Sequence, residues 1–208
     1  MKDPKKTILF DFDGVIVDSF DLAFETLKPF FPMEGFDRDY FRSMFDGNFY
    51  DSVAKAGAGD FDPQAFFKVY LPAFLKLPSI DGIPHVLKTL SEEYRLAIVS
   101  STYSDPIREW LKTHELDQYF TDVFGADFEK SKEKKMEMIF DRYGIDKDDC
   151  VFVTDTIGDI KEANDIEVST IAVAYGYHDR THLDKAHPIA IVDTPEELLA
   201  QVRGIWRK

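Results

Sequence analysis

The sequence is short of three things, and each shortage closes off a class of protein. There is one cysteine in 208 residues, so no disulfide can form within the chain. Cys150 falls in the apolar stretch Cys150-Val151-Phe152-Val153, the setting of a buried, inert thiol rather than of a nucleophile or ligand. Long apolar runs are missing as well. The longest, such as Thr170 to Tyr175, are strand-sized and far below the roughly 20 residues that span a bilayer. The opening stretch Met1 to Thr7 is polar and charged and meets acids after a few apolar positions. No signal-peptide core is present there, and the expectation is a cytoplasmic protein with no membrane partner. Positive charge is the third shortage: 25 Lys and Arg stand against 39 Asp and Glu, a formal charge of −14. A field of that sign repels polyanions, so nucleic acid is not an expected partner. It places no bar on a small anion, whose binding is decided at close range by a few local cations or a metal.

What is there is enough apolar residue, 44% of the chain, to build a full core in one domain or in one domain with a small insert. Short apolar runs alternate with amphipathic stretches, the pattern of an α/β fold whose parallel sheet is covered by helices on both faces. The expected strands are Ile8 to Phe10, Leu96 to Ser100, Val123 to Gly125, Cys150 to Thr154, Thr170 to Ala174 and Ile189 to Val192. Helical spacing joins Ile83, Val86, Leu87 and Leu90, and again Ile107, Trp110 and Leu111 behind Ser104 as N-cap. Thr194, Pro195 and Glu197 read as a capping box with proline in the first turn of a last helix.

One region breaks the alternation. From Ser19 to Ser79 there is no strand signal, while Phe, Tyr, Leu and Met recur at helical intervals. It reads as an inserted all-α cap, residues 19–79, within a core made of residues 1–18 and 80–208. The expected cap helices are Ser19 to Phe30, Asp37 to Phe45, Tyr50 to Ala56 and Pro63 to Leu75, with Gly47, Gly57 and Gly59 at turns. Phe24, Phe41, Phe45, Phe66, Phe67 and Phe74 are expected to form a small second core.

The strongest local signal is Phe10-Asp11-Phe12-Asp13-Gly14, where the first apolar run ends. Acids at i and i+2 of an extended chain point to one side. They stand at the carboxyl edge of a parallel sheet, where open α/β folds bind ligands. Like charges so close need a proton or a cation. A second pair, Asp155 and Asp159, follows the run Val151-Phe152-Val153-Thr154. If the two strands are neighbours, Asp11, Asp13, Asp155 and Asp159 converge on an all-oxygen site suited to a hard divalent ion, with Mg2+ the natural choice. Ser100, the Ser101 amide and Lys132 stand where donors to a phosphoryl group belong, Lys132 following Ser131 as N-cap of the next helix. Taken singly, each feature has a plainer reading: Asp-Gly as a turn, Ser100 as a strand-end hydroxyl, Asp155 and Asp159 as helix caps, Lys134 and Lys135 as solvent-exposed charges. The plain readings leave unexplained why all of them fall in the order one phosphoryl site requires.

At these residues the chain resembles the haloacid dehalogenase superfamily, in particular its phosphoglycolate-phosphatase-like members with a helical cap. The motifs carrying the likeness are Asp11 to Ser19, Leu96 to Ser100, the lysine region and Val151 to Asp159. The resemblance implies a Rossmann-like core and a phosphoric monoester hydrolase acting on a small phosphorylated metabolite. It further implies Asp11 as nucleophile, an aspartyl-phosphate intermediate and Asp13 as acid then base. Ser100 and Lys132 would hold the phosphoryl group, Asp155 and the Asp13 carbonyl would bind Mg2+, and Asp159 would orient the metal shell. The stretch Lys130-Ser131-Lys132 departs from the Lys-Pro of many relatives, so Lys130 remains an alternative to Lys132. Thr154 replaces a common glycine.

Asp13 argues against dehalogenation. Ala23, where mutases carry histidine, disfavours a phosphomutase, and a phosphonatase would need Lys28 or Lys55 as a Schiff-base lysine. A non-catalytic phosphate-binding module is the remaining alternative. Arg42, Asn48 and Tyr50 are candidates for reaching a substrate's distal group, although exposed structural roles are the plainer reading. His178 and Arg180 follow the strand ending at Ala174 and are candidates to flank the pocket mouth, with a plain surface loop the favoured reading. The chain is compatible with a monomer or a homodimer.

Overall fold

Helices cover both faces of the sheet, which is why its strands are apolar on both sides. A computed structural model of the chain describes residues 6–31, 33–56 and 63–206. Its strands are β1 (Thr7–Phe10), β2 (Arg95–Val99), β3 (Asp122–Phe124), β4 (Cys150–Thr154), β5 (Ser169–Val173) and β6 (Ala190–Val192). They form one parallel sheet in the order β3-β2-β1-β4-β5-β6, an α/β, Rossmann-like arrangement. Along β1 the side chains divide with period two. Ile8 and Phe10 join Ile83, Val86, Ile107, Trp110 and Leu198 on one face. Leu9 joins Met136, Ile139 and Ala163 on the other. Each such side chain, removed from water, contributes about 1.5–3 kcal/mol, and β1 is buried along its whole length.

The helices between strands are α5 (Ile83–Ser91), α6 (Ser104–Thr113), α7 (Lys132–Tyr143), α8 (Ile157–Asp165), α9 (Arg180–Leu183) and α10 (Pro195–Ile205), preceded by α1 to α4 described below. Helix α5 buries Ile83, Val86, Leu87 and Leu90, the spacing expected of it. Ser104 is the first residue of α6 rather than its cap, and Tyr103 holds the cap position. The reason lies in tertiary partners: the Ser104 hydroxyl accepts the Gly125 N–H at 3.0 Å, and the Ser104 N–H donates to Asp127 Oδ1 at 2.7 Å. In α10 the Thr194 hydroxyl accepts the Glu197 N–H at 3.2 Å, while the Glu197 carboxylate reaches back to the Asp193 N–H at 2.8 Å. Cys150 is buried, and burial pushes its thiol up to about 12. Among the described residues no helix is long and apolar enough to cross a membrane.

Between β1 and α5 the described residues hold no strand, only isolated bridges at Val17, a short 3-10 turn at Lys28–Phe30 and the helices α1 (Phe20–Leu27), α2 (Arg38–Ser43), α3 (Phe49–Lys55) and α4 (Pro63–Phe74). Gly57, Gly59 and the Phe67 side chain lie outside the described residues. The phenylalanines pack on one another, Phe24 with Phe41 at 5.8 Å and Phe41 with Phe45 at 5.3 Å between ring centroids. They do not form a separate core, however. Phe12, just past β1, stands edge-on to Trp110 at 5.2 Å and against Phe74 at 5.8 Å, so the apolar interior is continuous from the sheet into the helical segment.

The loop joining α2 to α3 rests directly on the start of α8. The Gly158 N–H donates to the Phe45 carbonyl at 3.0 Å, and a Cβ at Gly158 would come within 2.7 Å of that same oxygen and overlap the Gly47 carbonyl. The missing side chain is what permits the contact. Gly158→Ala should therefore cost about 1–3 kcal/mol of stability, the range for overpacking a well-filled contact, read by chemical denaturation; a loss below about 0.5 kcal/mol would show that the loop yields freely.

Candidate active site

The strand order reverses between β1 and β4, the point at which an open α/β sheet leaves a crevice beyond its carboxyl ends. Phe10 is level with Val153, and the Asp11 N–H still donates to the Val153 carbonyl at 2.8 Å. Asp11 therefore leaves the sheet beside Thr154 and Asp155. Gly14 then turns the chain at φ +73°, its N–H on the Val17 carbonyl at 2.8 Å. A Cβ at Gly14 would overlap the Asp155 carboxylate and approach the Tyr177 ring to 2.9 Å. Only glycine meets both demands, the positive φ and the close approach.

Four aspartates and one lysine meet in this crevice. The Lys132 ammonium lies 2.6 Å from Asp11 Oδ2 and 2.5 Å from Asp159 Oδ2, all three side chains being almost wholly buried. Burial works against the Lys132 charge, but Asp11 and Asp159 outweigh it and hold the ammonium above its ordinary range. For Asp11, burial dominates; with Asp159 and Asp155 nearby it raises the carboxyl well above its usual value despite Lys132. The other Asp11 oxygen accepts the Phe12 N–H at 2.7 Å. Asp159 goes the opposite way: burial alone would raise it, yet Lys132 and the Thr154 hydroxyl, 2.6 Å away, hold it low. Its role as a plain helix cap is taken instead by Thr156.

Asp13 is held on both oxygens, by the Ser19 hydroxyl at 2.6 Å and the Thr102 hydroxyl at 2.7 Å. Burial raises its carboxyl, and the two hydroxyls offset only part of the shift. Asp155 receives the Tyr177 N–H on Oδ2 at 2.7 Å, but its Oδ1 is buried without a hydrogen-bond partner. Burial pushes this carboxyl up to about 8. An orphaned carboxylate oxygen beside other carboxylates is the donor chemistry that a hard divalent cation takes. The residues present thus fit a magnesium-type site.

Of the two lysine alternatives, Lys132 is the one set against Asp11; the Lys130 ammonium lies 4.1 Å over the Tyr50 ring. Lys134 is exposed as expected. Lys135 is not: it is fully buried, its ammonium 2.6 Å from the Ser100 carbonyl, because α7 turns the face carrying Lys132, Lys135, Met136 and Ile139 onto the sheet. Ser100 is buried too, its hydroxyl oxygen accepting the Thr102 N–H at 3.0 Å, whereas Ser101 lines the crevice. Asn48 does not reach into it. Its side-chain amide donates to Glu162 at 2.9 Å and to the Lys130 carbonyl at 3.2 Å, tying the α2–α3 loop to the core. Tyr50 donates to the Ser101 carbonyl at 2.6 Å, and Arg42 to the Tyr177 carbonyl at 2.8 Å.

His178 corrects the surface-loop expectation, being buried with both ring nitrogens engaged. Nδ1 accepts the Ile157 N–H at 3.0 Å, which leaves Nε2 to donate to the Arg42 carbonyl at 3.1 Å. That tautomer has no lone pair to offer a metal beside Asp46 and His182, so the cluster of these three residues fastens the α2–α3 loop to the core. Arg180 is exposed and paired with Asp193. Sequence reasoning missed Thr102, Tyr177 and Glu162. Glu162 accepts the Lys132 N–H at 2.7 Å and so anchors the start of α7. Thr102 was within reach as the hydroxyl two places past Ser100; Tyr177 and Glu162 carry no local signal.

Fold and crevice together define a Rossmann-like α/β protein with a buried cluster of carboxylates and a lysine at the carboxyl edge of its sheet. The family model for haloacid dehalogenase-like hydrolases matches residues 8–173, and the chain belongs to that family. Among its relatives is the pyrophosphatase PpaX of Listeria monocytogenes serotype 4a, 28% identical over 211 residues, covering 95% of this chain and 96% of the relative. A phosphoglycolate phosphatase of Synechococcus elongatus is 26% identical over 214 residues, covering 98% and 100%. A haloacid dehalogenase-like hydrolase of Streptococcus pneumoniae shares the fold with a TM-score of 0.80 at 20% identity, over 95% of this chain and 98% of that one.

Lys135 gives a pH signature. Burial, then the Lys132 charge, lowers its ammonium from 10.5 to about 8. The native state sheds this proton before the unfolded chain does, so stability is held down below pH 8 and recovers as the pH rises toward 10.5. Denaturation midpoints across that window should climb for the wild type and lack the climb in Lys135→Met; parallel profiles would mean that Lys135 is not a buried cation.

Proposed function

We propose that this hydrolase is a Mg2+-dependent phosphatase that releases phosphate from a small phosphorylated metabolite through an aspartyl-phosphate on Asp11, with residues 19–79 as its cap. The observation that carries the reading is Lys132 set 2.6 Å from Asp11 and 2.5 Å from Asp159 next to the orphaned oxygen of Asp155. Phosphoryl transfer asks for a placed nucleophile and for positive charge around the phosphoryl oxygens, and these residues supply both.

In this reading Asp11 Oδ2 attacks phosphorus and the bond to the leaving oxygen breaks, while Asp13 gives that oxygen its proton. Water then attacks the phosphorus of the aspartyl-phosphate; Asp13 takes the water proton, and Asp11 is freed as phosphate departs. Burial, which raises the Asp13 carboxyl, suits a group that must hold a proton and then hand it over. The Ser19 and Thr102 hydroxyls fix its orientation. Lys132, positioned by Glu162 and Asp159, meets the charge on the phosphoryl oxygens, and the Ser101 amide is a further donor at the crevice. Asp11, Asp155 and the Asp13 carbonyl would hold Mg2+, which supplies charge neutralisation on the phosphate. Lys28 and Lys55 do not line the crevice, while Ala23 does, which favours the phosphatase over the phosphonatase and mutase alternatives.

The test is phosphate release from a generic aryl phosphate with and without Mg2+. Turnover should require the ion and fall to background in Asp11→Asn, with Asp13→Asn reduced at least about 100-fold, the scale of lost general acid–base catalysis. Release that is the same for wild type and Asp11→Asn would overturn the reading and favour a phosphate-binding module.

A further inference from the structure

The crevice opens into a cavity of about 500 Å3 that runs from the carboxylates into the helical segment. A space of this size is in the range that holds a ligand-sized molecule, of roughly 300–1,000 Å3, and is far larger than a phosphoryl group needs. Its composition changes with distance from Asp11. The walls contributed by α1, α3 and their neighbours are apolar: Leu27, Phe31, Phe49, Val53 and Phe66 all face the cavity. Four tyrosines, Tyr50, Tyr70, Tyr103 and Tyr177, line it, and two of them have hydroxyls committed to neighbours. Tyr50 donates to the Ser101 carbonyl, and Tyr177 shares a hydrogen bond of 3.1 Å with the Ser19 hydroxyl.

Cations are few. Among the described residues lining the cavity only Lys130 and Lys132 carry positive charge. Lys132 is held between Asp11 and Asp159, and the Lys130 ammonium lies 4.1 Å over the Tyr50 ring. Arg42, a candidate for a distal anion by its place in the sequence, instead stacks over Phe20 at 4.8 Å and pairs with Asp39. A substrate carrying a carboxylate or second phosphate beyond its reacting phosphate would have to strip that anion of water against aromatic rings, which is costly without a partner. An alkyl or aryl group would instead gain by leaving water.

We propose that the site takes phosphate monoesters of apolar alcohols several carbons long, in preference to substrates that carry a second anionic group, such as phosphoglycolate or pyrophosphate. The inference rests on the phosphatase reading and adds the substrate class to it. The Phe-rich segment then has two jobs, since Phe31, Phe41 and Phe45 both pack on neighbouring rings and line the cavity.

The experiment is a chain-length series of primary alkyl phosphates, ethyl to hexyl, run beside phosphoglycolate and pyrophosphate at saturating Mg2+. Primary alcohols are leaving groups of nearly equal basicity, so the trend reports binding rather than intrinsic reactivity. The expected result is a kcat/KM that rises about fourfold per methylene, so that hexyl phosphate exceeds ethyl phosphate by about 250-fold and phosphoglycolate by at least as much. In Val53→Arg, which brings a guanidinium to the apolar wall, the hexyl-to-phosphoglycolate ratio should fall at least tenfold. A flat series, a preference for phosphoglycolate or pyrophosphate, or an unmoved ratio in Val53→Arg overturns the substrate class while leaving the phosphatase standing. Absence of release from every compound, a generic aryl phosphate included, overturns both.

Discussion

One buried ammonium holds the crevice together. Asp11, Asp155 and Asp159 converge where water is largely excluded, and three carboxylates so placed repel one another strongly. Lys132 bridges two of them, and its position is set from outside the cluster by Glu162, which accepts the backbone N–H at the start of α7. Breaking such a pair from one side strands an uncompensated buried charge, so the arrangement is costly to dismantle. The remaining imbalance falls on Asp155, whose Oδ1 has no partner. In the proposed reading a site poised in this way takes a further cation, and then a phosphate that brings its own negative charge to Lys132 and to that cation.

The rest of the molecule follows from that constraint. Pairing of β1 with β4 brings Asp11 and Asp155 to one edge, and the turn at Gly14 lets the backbone close over the Asp155 carboxylate. The helices inserted after β1 cover the crevice. They are fastened by a row of polar contacts along one loop: Arg42 with Tyr177, Phe45 with Gly158, Asp46 with His182, and Asn48 with Glu162. Polar groups are thereby spent on holding the loop in place, and the interior between it and the core stays apolar. In the proposed reading, recognition is left to the enclosed cavity rather than to the −14 charge of the chain.

Much of this was legible in the residues themselves. Strands buried on both faces declare themselves as short apolar runs, and all six fell within one residue or so of their expected bounds; β2, for example, covers Arg95–Val99 where Leu96 to Ser100 was expected. Asp11 and Asp155 were readable because each follows such a run. What stayed hidden depends on packing. Lys135 looks like any lysine in a charged helix start, and only the docking of α7 on the sheet buries it. His178 resembles a loop residue until Ile157 and Arg42 close on its two nitrogens. Asn48 invited a binding role because it is polar and near the crevice, yet Glu162, distant in sequence, takes its amide. Such partners are set by tertiary neighbours and leave no periodic trace.

The most direct test of the account is to catch the phosphoryl group on the chain. A phosphate ester labelled in its phosphoryl group, mixed with the protein and Mg2+ and quenched in acid within a turnover, should leave label on the peptide that contains Asp11, and none in Asp11→Asn. Label on another residue, or turnover in which no labelled carboxylate forms at any time, would contradict it.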